Sequence, residues 1–146
     1  LTAEMQALVF STETTFIEMT AFVGGKIEEM ADEAAANNMQ VAGAPIWIYT
    51  GSDGNPETRF ILDICLPVQS TGKYNGTFEP RTLPAFSHVG ATHLGPWENL
   101  GKTYGQLMGE IMKQGEQYTG VCREIYHVMN LQNPLENITE VQVGIK

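Results

Sequence analysis

Residues 120–128, with the sequence Gly-Val-Cys-Arg-Glu-Ile-Tyr-His-Val, are typical of a β-strand because they are mainly apolar, β-branched and aromatic. Alternation along a strand puts Cys122, Glu124 and Tyr126 on one face and the side chain of Arg123 on the other. A carboxylate without a partner on such a face raises its pKa, finds a cation, or lies close to water. For a single Glu, the simpler alternative is an edge strand with a solvated side chain.

A second copy of the pattern favours a more central position for this strand. Residues 43–49 have the sequence Gly-Ala-Pro-Ile-Trp-Ile-Tyr, and aligning their glycine with Gly120 also matches Tyr49 with Tyr126. In this register Trp47 is the counterpart of Glu124. A helical pattern precedes each copy, and a further apolar strand pattern follows each one.

This repeat predicts an α+β fold built from a duplicated strand-helix-strand-strand module. We expect a single domain over residues 1–146, because so long a repeat indicates a duplicated domain and not a solenoid. Repeat one is expected at about 5–68, a linker at 69–82 and repeat two at about 83–146. Two such halves commonly pair about a pseudo-twofold axis, as symmetric dimers do. The prediction is an antiparallel sheet with two helices and a central cleft, where Trp47, Tyr49, Glu124 and Tyr126 meet.

The helical pattern of the first half begins at Thr15 and Glu18, which have the spacing of a capping box. Apolar residues, Val23 among them, then recur at helical intervals as far as residue 34, so a single helix is expected to end near Asn37. The pair Gly24-Gly25 inside it requires either close packing or a bend. The linker that follows contains several glycines and a proline, and we expect it to be mobile.

The helix of the second half is expected to begin at Pro96, which suits a first helical position. Beside its apolar stripe, glycines recur every fourth residue, at Gly101, Gly105 and Gly109. Such a strip of small residues is interpreted as a surface that packs closely against the sheet.

Composition restricts the partners. The chain has 8 Lys and Arg against 17 Asp and Glu, for a formal net charge of −9, which argues against direct nucleic-acid binding and favours cationic small molecules. No apolar run approaches the roughly 20 residues that span a bilayer, and no signal-like segment opens the sequence. The default localisation is therefore the cytoplasm, without membrane association.

The sequence offers no metal site and suggests no cofactor. Cys65 and Cys122 lack a metal-ligand spacing and are expected to be small buried hydrophobes, while His88, His93 and His127 are scattered and are interpreted as surface or capping groups.

The pattern resembles the GyrI-like family, the small-molecule-binding domain found in Rob-type and BmrR-type bacterial regulators. The resemblance rests on four motifs, in this order: Gly43-x-Pro-x-x-x-Tyr49, Leu66-Pro67-Val68, His93-x-Gly95-x-Trp97 and Glu124-x-Tyr126. In the third motif the family more often has Tyr in place of Trp97. Together the motifs extend over nearly the whole chain.

What the resemblance implies is a central pocket that takes flat lipophilic cations, as in multidrug-binding members. By position, Glu124 supplies the buried counter-charge. The aromatic walls include Trp47, Tyr49, Trp97, Tyr104 and Tyr126. Regulators of the family carry a DNA-binding segment in front, and its absence from this chain leads us to expect a stand-alone binding module.

Three functions follow as hypotheses. Binding of lipophilic aromatic cations is favoured. The alternative is a hydrolase that opens the strained cyclopropyl rings of alkylating natural products, with Glu124 and Tyr126 as the acid/base pair, as the family implies. A protein-partner role, like that of gyrase-inhibiting members, is the third, and a homodimer stays open.

Overall fold

The computed structural model describes residues 1–19, 21, 25–72 and 74–146. Its strands are β1 (Met5–Thr14), β2 (Ile46–Thr50), β3 (Phe60–Val68), β4 (Glu79–Leu83), β5 (His88–Leu94), β6 (Tyr118–Val128) and β7 (Ile138–Ile145). The helices described are α1 (Phe16–Met19), α2 (Lys26–Ala36) and α3 (Leu100–Lys113), and short 3₁₀ turns occur at Trp97–Asn99 and Pro134–Glu136.

The strands form one antiparallel sheet in the order β4-β1-β3-β2-β6-β7-β5. Apart from β4, this order reads the same outward from the centre in both halves, because β2, β3 and β1 on one side match β6, β7 and β5 on the other. The predicted α+β fold with a duplicated, pseudo-twofold arrangement is confirmed. The numerical limits of the two repeats stay a prediction.

The centre of the sheet is the pairing of β2 with β6, in which Trp47 lies directly opposite Glu124. The internal repeat aligns the same two residues with each other, so the pseudo-twofold axis passes between them. Since β6 has a neighbour on each side, the edge-strand alternative for Glu124 is wrong.

The first predicted helix is divided in the structure. The Thr15 hydroxyl accepts a hydrogen bond from the Glu18 backbone N–H at 3.1 Å, as a cap should, but α1 ends at Met19. Gly25 then precedes α2 with φ at +81°, a left-handed conformation that interrupts a continuous helix. The predicted contributions of Val23 and Gly24 lie outside the described residues.

The expected mobile linker is anchored where it is described. Tyr74 donates a hydrogen bond to the Glu33 carboxylate of α2 at 2.7 Å, and the Thr77 N–H donates to the same oxygen at 2.9 Å. Its final residues form the start of β4, which pairs with β1. Glycine and proline content does not reveal such long-range polar contacts, and the mobility of the linker stays a prediction.

The helices α2 and α3 pack on the same face of the sheet. Met30 and Ala34 of α2 join a core with Leu62 and Ile64, and Leu107 and Ile111 of α3 pack against β6 and β7. The opposite face is crossed near Phe86 by the connection from β4 to β5, which bonds with Thr2 of the N-terminal segment. Between the two helices, the part of β2 and β6 around Trp47 and Glu124 faces an open space and is not covered by a helix.

The glycine strip of α3 does not pack against the sheet. A Cβ atom built at Gly101, Gly105 or Gly109 would meet no described atom within 4 Å outside its own stretch of helix, so the close-packing interpretation is wrong. The buried face of α3 consists of Thr103, Leu107 and Ile111 instead.

Candidate ligand-binding site

A cavity of about 990 Å³ lies over the central strands, between the two helices. We call it the central cavity. All six residues predicted to bind ligand line it, which are Trp47, Tyr49, Trp97, Tyr104, Glu124 and Tyr126. The structure therefore brings the predicted residues together, and their role in binding stays a prediction. The volume of the central cavity lies within the usual range for pockets that take drug-sized ligands.

Glu124 is the acidic group at the base of the central cavity. Only 6% of its surface is exposed, because it lies in the central strand β6 and tyrosine side chains contact its carboxylate. Arg123 points to the opposite face of the sheet, where its guanidinium stacks on Phe86 at 4.3 Å. Among the residues that the structure describes, no Lys, Arg or His forms an ion pair with Glu124.

Three tyrosine hydroxyls converge on the Glu124 carboxylate. Tyr49 donates a hydrogen bond to Oε1 at 3.3 Å, and Tyr126 donates to the same oxygen. Tyr104, from α3, donates to Oε2. We call these residues the tyrosine shell. The hydrogen-bond partners that the structure describes for Glu124 are thus all neutral hydroxyls, an arrangement that sequence alternation alone did not predict.

Burial raises the pKa of Glu124 above its ordinary value, and the hydrogen bonds from the tyrosine shell oppose this rise. Burial and the nearby carboxylate also raise the pKa of each of the three tyrosines, because a phenolate would be desolvated and repelled. The shell hydroxyls consequently remain protonated donors. The positive field of nearby His93 also opposes the rise in the pKa of Glu124, but by less than the hydrogen bonds do.

Aromatic rings form the sides of the central cavity. The Trp47 and Tyr126 rings meet edge to face with centroids 5.3 Å apart, and Trp97 meets Tyr126 in a similar way at 5.7 Å. The Trp97 indole N–H donates to the Thr139 hydroxyl at 3.0 Å, which fixes the orientation of that ring. A guest in this cavity faces ring surfaces on several sides.

The segment that leads into α3 is held by His93. This residue is buried, and its Nε2 lies 2.9 Å from the Pro96 carbonyl while Nδ1 lies 3.0 Å from the Thr103 hydroxyl. His93 is therefore not the expected surface residue, because it is buried and its ring links β5 to α3 through polar contacts at both nitrogens. This link fixes the stretch that carries Trp97.

Several residues of the central cavity were missed by sequence reasoning. Phe16, Tyr118, Met108 and Cys122 contribute apolar or weakly polar surface, and exposed Met129 and Leu131 reach it from the loop after β6. The exposed carboxylates of Glu28 and Asp53 also line it. Phe16 and Glu28 lie in the first turns of α1 and α2, and Asp53, Met129 and Leu131 lie in loops, whose spatial position no periodic pattern indicates. Tyr118 and Cys122 belong to β6 and Met108 to α3, and nothing in the sequence indicated that they line a cavity. The Tyr118 hydroxyl contacts the Cys122 Sγ at 3.3 Å and not Glu124.

Within the described part of the chain, no group of three or more His, Cys, Asp or Glu residues is arranged to hold a metal ion. Cys65 and Cys122 are both free and buried, as expected. None of the described helices is long and apolar enough to cross a bilayer.

The sequence matches the GyrI-like small molecule binding domain family over residues 2–146. The chain belongs to this family. The resemblance that the four sequence motifs indicated is thereby confirmed. Among curated proteins, none matches the sequence.

Solved structures share the fold of this GyrI-like domain. The C-terminal domain of EcmrR matches with a TM-score of 0.79 and 20% identity, over 99% of this chain and 92% of that one. In the complex of EcmrR with DNA, this chain spans only 55% of the EcmrR chain. SAV2435 bound to tetraphenylphosphonium has a TM-score of 0.66 and 10% identity, over 99% and 90% of the two chains. A hydrolase encoded by lin2189 from Listeria innocua has a TM-score of 0.67 and 10% identity, over 99% and 89%. At these identities the likeness shows the fold alone.

Proposed function

We propose that this GyrI-like domain binds lipophilic aromatic cations in the central cavity, with Glu124 as the counter-charge. The observation that carries the proposal is a carboxylate that is 6% exposed, surrounded by aromatic rings, and bonded by neutral hydroxyls. A bound cation would neutralise the only acidic group at the base of the described cavity. The exposed Glu28 and Asp53 on its lining would attract the same class of ligand.

The chemistry of the cavity supports broad specificity. A ring face attracts a delocalised cation by roughly 0.5 to 2 kcal/mol per good contact, and apolar burial adds to this. Neither contribution demands a particular ligand outline, so several flat or globular cations would fit. This is the physical basis for a multidrug type of binding.

The structural neighbours agree with this proposal. SAV2435, which shares the fold, was solved with tetraphenylphosphonium, a lipophilic aromatic cation. EcmrR, a second neighbour, was solved in complex with DNA. We propose that the present domain acts in the cytoplasm as a regulator-like effector-binding unit and makes no direct contact with nucleic acid. Its net charge of −9 supports the last point.

A binding titration tests the proposal with two probes of similar aromatic area. Tetraphenylphosphonium is a permanent cation, whereas triphenylphosphine oxide is uncharged. We expect the domain to bind the cation at least about tenfold more tightly, since both probes can stack but only one complements Glu124. Equal affinities, or binding of neither probe, would remove the proposed function. Isothermal titration calorimetry measures both affinities directly.

A second candidate is hydrolysis of strained cyclopropyl rings, which the contact between Glu124 and Tyr126 and the hydrolase among the neighbours favour. Glu124 would take a proton from a water whose oxygen bonds to a ring carbon. That proton, relayed through the Tyr126 hydroxyl, would end on the fragment that keeps the electrons of the broken ring bond. Mass spectrometry after incubation with a cyclopropyl-containing alkylating compound tests this, and an unchanged rate with Glu124→Gln would exclude the assignment. The protein-partner role stays a prediction from the family alone.

A further inference from the structure

The tyrosine shell uses most of the acceptor capacity of Glu124. A carboxylate offers about four lone-pair positions, two on each oxygen. Tyr49 and Tyr126 both donate to Oε1, so that oxygen has two partners. Among the described residues, only Tyr104 donates to Oε2. One lone pair on Oε2 therefore remains for a ligand.

A cation with several N–H groups would find few charge-assisted acceptors in this place. A primary ammonium brings three donors, and the remaining lone pair of Oε2 satisfies one of them. The tyrosine oxygens can accept a second bond, but bonds to a neutral acceptor are weaker than those to a carboxylate. The described lining nearby is otherwise largely aromatic and apolar, and the other two carboxylates, those of Glu28 and Asp53, belong to exposed residues. Donors that lose water without gaining a partner reduce affinity.

A cation without donors meets no such penalty. Quaternary ammonium and phosphonium groups need only positive potential and ring faces, and both are present around Glu124. The tyrosine shell leaves the negative charge in place while it occupies the acceptor positions. Glu124 can thus attract a positive charge while it has little capacity left to accept further hydrogen bonds.

We propose that Tyr104 is a specificity-determining residue, whose hydroxyl on Oε2 makes the site select cations without N–H or O–H donors over primary ammonium ions. This inference rests on the proposed binding of cations in the central cavity. Tyr104 has this role because its hydroxyl is the one described donor to the oxygen that still has acceptor capacity. It comes from α3, whereas Tyr49 and Tyr126 come from the central strands.

A matched ligand pair tests the inference in the full chain. The probes are pyrenemethyl-trimethylammonium and pyrenemethylammonium, which share one fluorophore and are both cations at pH 7. For the wild type we expect the trimethylammonium probe to bind about tenfold or more tightly than the primary one. In Tyr104→Phe, Oε2 gains a second free lone pair, and the affinity ratio should fall by about tenfold because a second charge-assisted hydrogen bond becomes available to the primary ammonium. The ratio is the appropriate readout, since any change in the charge of Glu124 affects both cations alike.

Tyr118→Phe is the matched control. It also removes a hydroxyl from the central cavity, but that hydroxyl contacts Cys122 and not the carboxylate, so the ratio should stay at the wild-type value. Far-ultraviolet circular dichroism and thermal unfolding establish that both variants are folded. An unchanged ratio in Tyr104→Phe, or an equal fall in Tyr118→Phe, would overturn the inference and leave the proposed function intact. Failure of the wild type to bind either probe would overturn both.

Discussion

Replacing Glu124 with Gln removes one charge from the base of the central cavity while it nearly preserves the shape of the side chain. The amide oxygen can still accept from tyrosine hydroxyls, and the amide N–H groups can donate to a tyrosine oxygen. The tyrosine shell should therefore keep its arrangement. The substitution isolates the electrostatic contribution of Glu124 to ligand binding.

The size of that contribution follows from the geometry. The shell and the side-chain rings keep a large cation at about 5 Å or more from the carboxylate, and at an effective dielectric constant of about 20 the attraction is about 3 kcal/mol. The raised pKa of Glu124 lowers its average charge, which reduces the usable part. We expect Glu124→Gln to lose about 2 kcal/mol of binding free energy for tetraphenylphosphonium, which is about 30-fold in affinity.

The assay is isothermal titration calorimetry at pH 7.5 and constant ionic strength. Glu116→Gln serves as the control, because this exposed residue lies outside the cavity lining and its loss changes the net charge by the same amount. Triphenylphosphine oxide should bind the wild type and Glu124→Gln with the same affinity. An equal loss of affinity for the cation and the neutral probe, or an equal loss in Glu116→Gln, would show that the charge of Glu124 does not attract the cation.

Three further outcomes follow from the site. Burial raises the pKa of the Glu124 carboxyl, and a bound cation favours its ionised form. The affinity for a permanent cation should therefore fall as pH decreases through this raised pKa, at a higher pH than for an ordinary Glu. Binding titrations from pH 8 to pH 5 check this, and a flat profile that matches Glu124→Gln would contradict it. The same raised pKa means that the folded state binds the Glu124 proton more tightly than the unfolded state does, so protonation stabilises the fold at low pH and this stabilisation is lost as pH rises through the folded-state pKa. The unfolding free energy of Glu124→Gln, relative to that of the wild type, should therefore increase with pH. Urea titrations at several pH values measure this difference, and a decrease with pH would show that the pKa is shifted the other way. Trp97→Ala removes one ring from the cavity and should weaken tetraphenylphosphonium binding by about 2- to 30-fold, which fluorescence titration measures; full retention of affinity would place the cation away from this ring.

The sequence predicted the centre of this molecule well for a definite reason. A strand fixes its side chains by alternation, so Glu124 and Tyr126 had to share a face once residues 120–128 formed a strand. The internal repeat then identified Trp47 as the counterpart of Glu124, and the structure pairs these two residues directly. Family resemblance added Tyr104 and Trp97, which periodicity alone did not place at the cavity.

What the sequence left undetermined depends on geometry in three dimensions. Three hydroxyls from two strands and a helix reach one carboxylate, and no spacing in the sequence encodes that convergence. Residues such as Met129 belong to a loop, whose path is set by contacts with the rest of the fold. The break before α2 depends on the left-handed conformation of Gly25, which glycine permits but does not require.

The most direct test is a crystal structure of the domain with tetraphenylphosphonium bound. We expect the phosphonium centre to lie over Glu124 in the central cavity, with its phenyl groups against Trp47 and Trp97 and with the tyrosine shell still bonded to the carboxylate. A cation bound elsewhere on the surface, or a Glu124 side chain turned away from the ligand, would contradict the claim that this buried carboxylate is the counter-charge.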